Sequence, residues 1–549
     1  MDAPAEVDEM TQPDGLVAAL FRRDAALAPV AALAGMVVLA ACWAVFSPPM
    51  VLSTEMTWDL LFNLSGAWHL HVGHVPHVDF HEAVGQLTFV LTNIGVQVVG
   101  ASPRALLVGI GIVTAFVFAL ATLAAWRRLP LIPAVLFVVF VCLLVVRPAN
   151  VGDSPDAYSF AMSYNRYGWA GISIIGLILF LPPHRKGWAD VADMAAVAAI
   201  TAALFYLKVT YFAVAIAGVV VALVISPHVV ARRRGWAVVC LLGLALVLAP
   251  FNRLYFADLM ATVQAGVVRD DASFYFNDFA ENAAEYAPYF SAVGIALWLW
   301  WRRQSPLGLP VATAFLLLAG LGLLSQNSQS HSVPLAVVIA FLLYQALLRL
   351  QAATALLCAL LLFPFAATVS SAISIAGYHD RTEAGNLKIV ETTSLRGLAV
   401  PAEPDGVIAA FASGREGPRL LNRARAVRPR YELSPYEYVQ TLEEAAGLLR
   451  DHGLASGRIA VLDQVNPLPF MLGLEPPRGG NLWSGTGAPT RPAETYLADV
   501  DHVLIPRFST SIAWTQTAQA AYAGYLDAHF ERRVDGRSWV ILTRKGQRR

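Results

Sequence analysis

The chain has 549 residues, of which 57% are hydrophobic and only 14% charged, with a mean hydropathy of +0.55. A soluble protein carries about 25% charged residues, so this composition excludes an ordinary soluble enzyme. The 39 basic and 39 acidic residues cancel, which argues against nucleic acid as a partner.

The first 25 residues are polar and acidic and lack an apolar h-region, so the reading is a cytoplasmic tail with no cleavable signal peptide. Repeated apolar runs then predict a polytopic α-helical membrane protein with about 11 spans. They fall at 26–47, 103–125, 130–146, 168–183, 189–206, 209–226, 235–250, 287–301, 308–324, 333–349 and 352–373. Basic residues alternate between connections. Arg22 and Arg23 precede the first span; Arg127–Arg128, His184–Lys186, Arg232–Arg234, Arg302–Arg303 and Arg349 follow every second one. The positive-inside rule puts those connections in the cytoplasm, together with the N-terminus. The intervening loops and everything after about 377 then lie outside, at the periplasmic face of an inner membrane. The four cysteines all sit in apolar runs and read as packing residues.

The segment 48–102 is the first outer loop, within a membrane region spanning 26–377. Trp58, Leu61, Leu64, Ala67, Trp68 and His71 have helical spacing, and Gly73 ends that helix. This helix and a second over 86–99 are expected to lie on the membrane surface, the second being surface or re-entrant because it is short and contains Gln, Thr and Asn. The loop holds Glu55, Asp59, Asp79 and Glu82 and five of the twelve histidines: His69, His71, His74, His77 and His81. Interfacial polar residues are the favoured account of the histidines, and no metal is expected.

Residues 378–549 read as a soluble extracytoplasmic α/β domain. A helix is predicted over 436–452, strands at 458–463, 501–507 and 539–543, and a helix over 515–530. The Pro- and Gly-rich loop after the first of these strands is either a ligand site or a packing surface against the membrane region.

The layout and first loop resemble the integral-membrane glycosyltransferases of the GT-C class, which include protein mannosyltransferases and lipid A aminoarabinose transferases. The resemblance rests on an acid soon after span one (Glu55 or Asp59), on Gly73-His74-Val75-Pro76-His77-Val78-Asp79-Phe80 followed by Gly85, and on a multi-span body with an outer domain. It implies a polyprenyl-phosphate-linked sugar as donor and an envelope glycan, lipid or protein as acceptor. Such chemistry needs a base for the acceptor hydroxyl and donors for the departing phosphate.

Asp59 is the first choice of base and Glu55 the second, because a four-residue spacing puts both on one helical face. Asp79 orients the loop or the substrate, or is a second catalytic carboxylate at the site. Tyr164, Asn165 and Arg166, at the outer start of a span, and Lys208, between two spans, are the candidates for the phosphate. Arg269, Gln326 and His331 come from later outer loops, and His81 and Glu82 from the first. The competing readings are a ligase or acyltransferase acting on lipid-linked glycans, a transporter, and an envelope assembly protein.

Overall fold

A computed structural model describes residues 26–151, 158–184, 189–265, 283–326, 333–347, 377, 386–402, 433–485, 488–510 and 512–546. The molecule is mostly helical, with a C-terminal α/β region. The helices of the first part are α1 (Leu27–Phe46), α2 (Thr57–His71), α3 (Leu87–Val99), α4 (Ala105–Trp126), α5 (Leu131–Val146), α6 (Ser163–Phe180) and α7 (Ala189–Leu207). They continue with α8 (Val209–Ile225), α9 (Arg233–Leu248), α10 (Arg253–Gln264), α11 (Ala283–Trp301), α12 (Gly308–Gln326) and α13 (Ala336–Leu347).

Ten of the eleven predicted spans therefore coincide with helices; the run at 352–373 lies outside the described residues. Among the described residues, α1, α4, α7 and α12 are each long and apolar enough to cross a membrane. The pair α9 and α10 passes together but is bent by 55°. Pro250 stands at that bend, where a missing N–H interrupts the helical ladder. Helix α6 starts at Ser163, five residues before the predicted span, which puts Tyr164, Asn165 and Arg166 in its first turn.

Helix α3 has 13 residues and is about 20 Å long at 1.5 Å per residue, too short to cross. It lies tightly on α4: a Cβ on Gly95 would stand 1.9 Å from the Ala105 carbonyl oxygen. Between α4 and α7 is a buried ion cluster. Arg127 and Arg128 are fully buried, at 2.6 and 2.5 Å from the same Asp193 oxygen. Asp190 adds a contact to Arg127 at 3.5 Å and accepts from the exposed Arg232 at 3.1 Å. Buried guanidinium groups persist only when paired in this way.

The C-terminal region contains β3 (Leu387–Ile389), β4 (Leu398–Pro401), α14 (Pro435–Asp451), β5 (Ile459–Val461), α15 (Leu468–Leu472), β6 (Gly480–Asn481), β7 (His502–Pro506), α16 (Ile512–His529), β8 (Phe530–Asp535) and β9 (Trp539–Arg544). A four-stranded sheet runs β5-β7-β9-β8, with β5 and β7 parallel and the other neighbours antiparallel. Helix α14 starts in a capping box: Ser434 accepts from the Glu437 N–H, and Glu437 accepts from the Ser434 N–H. Three of these strands and both long helices match the predicted positions. β8 has no counterpart among them, because its FERRVD sequence has neither a continuous apolar run nor a clean alternation.

Two small parallel pairings tie the first outer loop to this region. β1 (Val51–Leu52) runs beside β4, and β2 (Phe80–His81) beside β6. The loop after β5 covers α2. Trp68 Nε1 donates to the Leu474 carbonyl at 2.8 Å, Phe62 meets Trp483 edge to face at 5.6 Å, and Gly66 leaves room for Leu482 and Phe89. The spacing of its apolar residues predicts that α2 lies on the membrane surface with one face open; instead all residues from Thr57 to Ala67 except Trp58 are buried. The face opposite the apolar stripe is covered by a loop more than 400 residues later in the chain.

Candidate functional site

Helix α2 is preceded by Met56 in the left-handed conformation (φ 47°), and α6 by Met162 in the same conformation (φ 46°). Left-handed backbone is uncommon for residues other than glycine and is held in place by its surroundings. Here the segments leading into the two helices hold each other. The Thr54 N–H donates to the Tyr158 carbonyl at 2.9 Å, and the Tyr158 N–H donates to Thr54 Oγ1 at 2.8 Å. Within the first of these segments, the Ser53 and Thr57 hydroxyls are 2.9 Å apart.

The segments that lead into α2 and α6 are thus joined. Asp59 is in the first turn of α2 and is 7% exposed. Glu55 is exposed and precedes the helix, separated from it by the left-handed Met56. The shared helical face expected for Glu55 and Asp59 does not form, because α-helical geometry begins only at Thr57.

Asn165 and Arg166 are fully buried in the first turn of α6. Arg166 Nη1 approaches the Val145 carbonyl at 3.5 Å. Lys208 occupies the break between α7 and α8 in an extended conformation, as the residue capping α8. Its Nζ donates to Asn165 Oδ1 at 3.3 Å and lies 5.3 Å from the centre of the Tyr164 ring. The buried Asn165 Nδ2 has no hydrogen-bond partner among the described residues. Three predicted residues, Tyr164, Asn165 and Lys208, therefore meet at the N-termini of two helices, an arrangement suited to an anion.

The turn 82–85 sits against the same break. The Gly85 N–H donates to the Leu207 carbonyl at 3.1 Å, and a Cβ there would stand 2.0 Å from the Tyr206 carbonyl oxygen. Glu82 folds back on this turn, accepting from the N–H groups of Ala83 at 2.8 Å and Val84 at 3.2 Å. Burial pushes its carboxyl up to about 7, and the charge of Asp258 adds to the effect against those backbone bonds. Asp79 closes the preceding turn: its Oδ2 accepts from the Val75 N–H at 2.8 Å, and its carbonyl accepts from the Gly479 N–H at 2.7 Å. Its other carboxylate oxygen lies 3.5 Å from the exposed Arg478. Asp79 shapes the loop.

The histidines divide. His71 stacks on Trp68 at 5.0 Å. His69 Nδ1 and His74 Nδ1 are 3.0 Å apart, so one donates and the other accepts. Burial, then the charge of His74, holds His69 down at about 3. His77 and His81 both turn Nδ1 to Asp258, at 2.8 Å each, and Arg491 Nη2 lies 3.0 Å from the same carboxylate. Among the described residues no group of three or more His, Cys, Asp or Glu side chains is arranged to hold a metal ion.

Asp258 and Arg491 are not among the residues that the sequence singles out. Asp258 has a weak local signal, as the one acid of α10, five residues after Arg253. Arg491 has none, since it lies in a Pro-rich loop among many similar arginines. Arg269 and His331 lie outside the described residues, and Gln326 ends α12 with its side chain likewise outside them.

No protein-family model matches the chain, and no curated protein sequence matches it. The crystal structure of ArnT from Cupriavidus metallidurans in the apo state is similar in the course of its chain. The TM-score is 0.47 and the identity 10%, over 93% of this chain and 97% of that one. A likeness so distant carries neither residues nor chemistry across.

Proposed function

We propose that this protein is a membrane glycosyltransferase of the GT-C type, transferring a sugar from a polyprenyl phosphate to a hydroxyl of an envelope glycan, lipid or protein. One observation supports the reading: Lys208 reaches the amide-bearing N-terminus of α6, and the segment leading into α6 is hydrogen-bonded to the one leading into α2, whose first turn holds the buried acid Asp59. An acid beside an anion site is what transfer from a sugar phosphate requires.

In the proposed step Asp59 takes the proton of the acceptor hydroxyl as its oxygen bonds to the sugar C1. The C1–O bond to phosphate breaks, and the phosphate leaves with the electron pair. Lys208, Arg166, Asn165 and the first-turn N–H groups of α6 and α8 stabilise that charge, and Tyr164 flanks it. Asp79 shapes the loop, and Glu55 lies at its exposed rim. The basic connections favour a site at the extracytoplasmic face, with the N-terminus in the cytoplasm and the C-terminal region outside.

The test is transfer of label from polyprenyl-phosphate sugars to candidate acceptors by the purified protein. Asp59→Asn is expected to abolish transfer, and Lys208→Ala to weaken donor use. Full transfer by Asp59→Asn would end this mechanism. The second reading, a ligase of lipid-linked glycans, draws on the His77, His81 and Arg491 side chains around Asp258. Retention of transfer in Asp59→Asn with its loss in His81→Gln would favour it.

A further inference from the structure

The segment between α2 and α3 contains only the two-residue strand β2, and its backbone is held at the β2–β6 pairing and at Gly85. Beside those points side chains converge on Asp258, which is 4% exposed. A carboxylate only accepts, so both imidazoles donate through Nδ1–H, His77 to Oδ2 and His81 to Oδ1. Arg491 donates to Oδ1 through Nη2 and to Asn481 Oδ1 through Nε at 2.9 Å. Asn481 is the residue that faces His81 in the β2–β6 pairing. Tyr255, nearly one turn before Asp258, packs against His77 with ring centres 5.0 Å apart.

Charge is balanced as well as geometry. Burial raises the carboxyl of Asp258, but the hydrogen bonds from His77, His81 and Arg491 outweigh it and hold the group ionised well below the usual carboxylate range. Immediately after His81 comes the turn Glu82–Gly85, seated on Leu207 beside Lys208.

We infer that Asp258 is a positioning residue, which gathers His77, His81 and Arg491, seats the Glu82–Gly85 turn against the α7–α8 break, and makes the C-terminal region part of the phosphate site. The identity of that site as a phosphate site rests on the function proposed above; the seating of the turn does not.

The experiment uses the full chain in lipid nanodiscs, comparing wild type with Asp258→Asn, Asp258→Glu and Arg491→Lys. Hydrogen exchange across 73–86 reports the seating, binding of a radiolabelled polyprenyl monophosphate reports the site, and the infrared carboxyl band of Glu82 reports the charge of Asp258. Asp258→Asn is expected to speed exchange across 73–86 by about ten-fold or more while α14 keeps its protection, as loss of charged hydrogen bonds at a local opening implies. Polyprenyl monophosphate binding weakens, the Glu82 titration moves to lower pH, and Asp258→Glu recovers part of the protection. Should Asp258→Asn fail to accumulate, His81→Gln carries the same measurements. Unchanged exchange across 73–86, or an equal rise throughout the molecule, overturns the inference. Failure of wild type to bind the polyprenyl monophosphate overturns the phosphate site, while the exchange measurement still decides the seating.

Discussion

Two buried charge clusters show how differently this chain uses ionic groups. At one, Arg127 and Arg128 meet Asp190 and Asp193; at the other, His77, His81 and Arg491 meet Asp258. In the first the cations are fully buried and the partners lie on helices about 65 residues apart in sequence. In the second only the acid is deeply buried; the three donors keep 10–19% of their side-chain surface, and up to 233 residues separate them from it. The first cluster fastens neighbouring helices. The second joins three separate parts of the chain and keeps some access to solvent.

The contrast is most easily broken at Asp193. Asp193→Ala leaves two buried guanidinium groups short of their main partner, and a loss on the order of 3–5 kcal/mol is expected. Thermal unfolding of the purified protein in detergent measures it; a shift within error would show that the pair is not what fastens the helices. Next comes Gly85→Ala, whose Cβ would meet backbone 2.0 Å away. The turn must move off Leu207, and a cost of about 2–3 kcal/mol with loss of donor binding is expected. Normal binding by Gly85→Ala would separate the turn from the site.

A pH titration sharpens the outer side of the comparison. Glu82 has its carboxyl raised to about 7 from an ordinary 4.5. The unfolded chain therefore loses this proton first, and stability falls as pH rises through the window from about 4.5 to about 7. Glu82→Gln should remove that slope in denaturation curves taken across the window, and a persisting slope would assign it elsewhere. His69 acts in the opposite sense. Held at about 3 rather than 6.5, it contributes stability above 6.5 that is lost as pH falls towards 3. His69→Gln should flatten the acid side of the same curve. The smallest effect belongs to Arg478→Ala, because Arg478 is more than half exposed and stands 3.5 Å from Asp79; a change within about 0.5 kcal/mol is expected.

Much of the helical framework was legible because hydropathy is local. An apolar run of 15–20 residues makes a helix whatever its neighbours, and α1, α4, α5, α8 and α12 lie close to where the runs do. The convergence of Tyr164, Asn165 and Lys208 was partly legible too, since charged and amide groups at span ends have few other places to go. The pairing of Glu55 with Asp59 failed at one residue. Nothing in the sequence of Met56 announces a left-handed backbone, which comes from the bonds between Thr54 and Tyr158.

By itself, then, the amino-acid order determined the apolar helices, the α/β character of the C-terminal region and the concentration of acids and histidines before Phe89, because each depends on residues a few positions apart. Tertiary structure decided which of those groups meet. That Asp258 gathers His77, His81 and Arg491, that α2 is buried under the loop following β5, and that the segments leading into α2 and α6 hold each other all depend on contacts across about 100 to 400 residues. A carboxylate has the same formula wherever it stands; its role follows from the donors that surround it, and packing alone selects those.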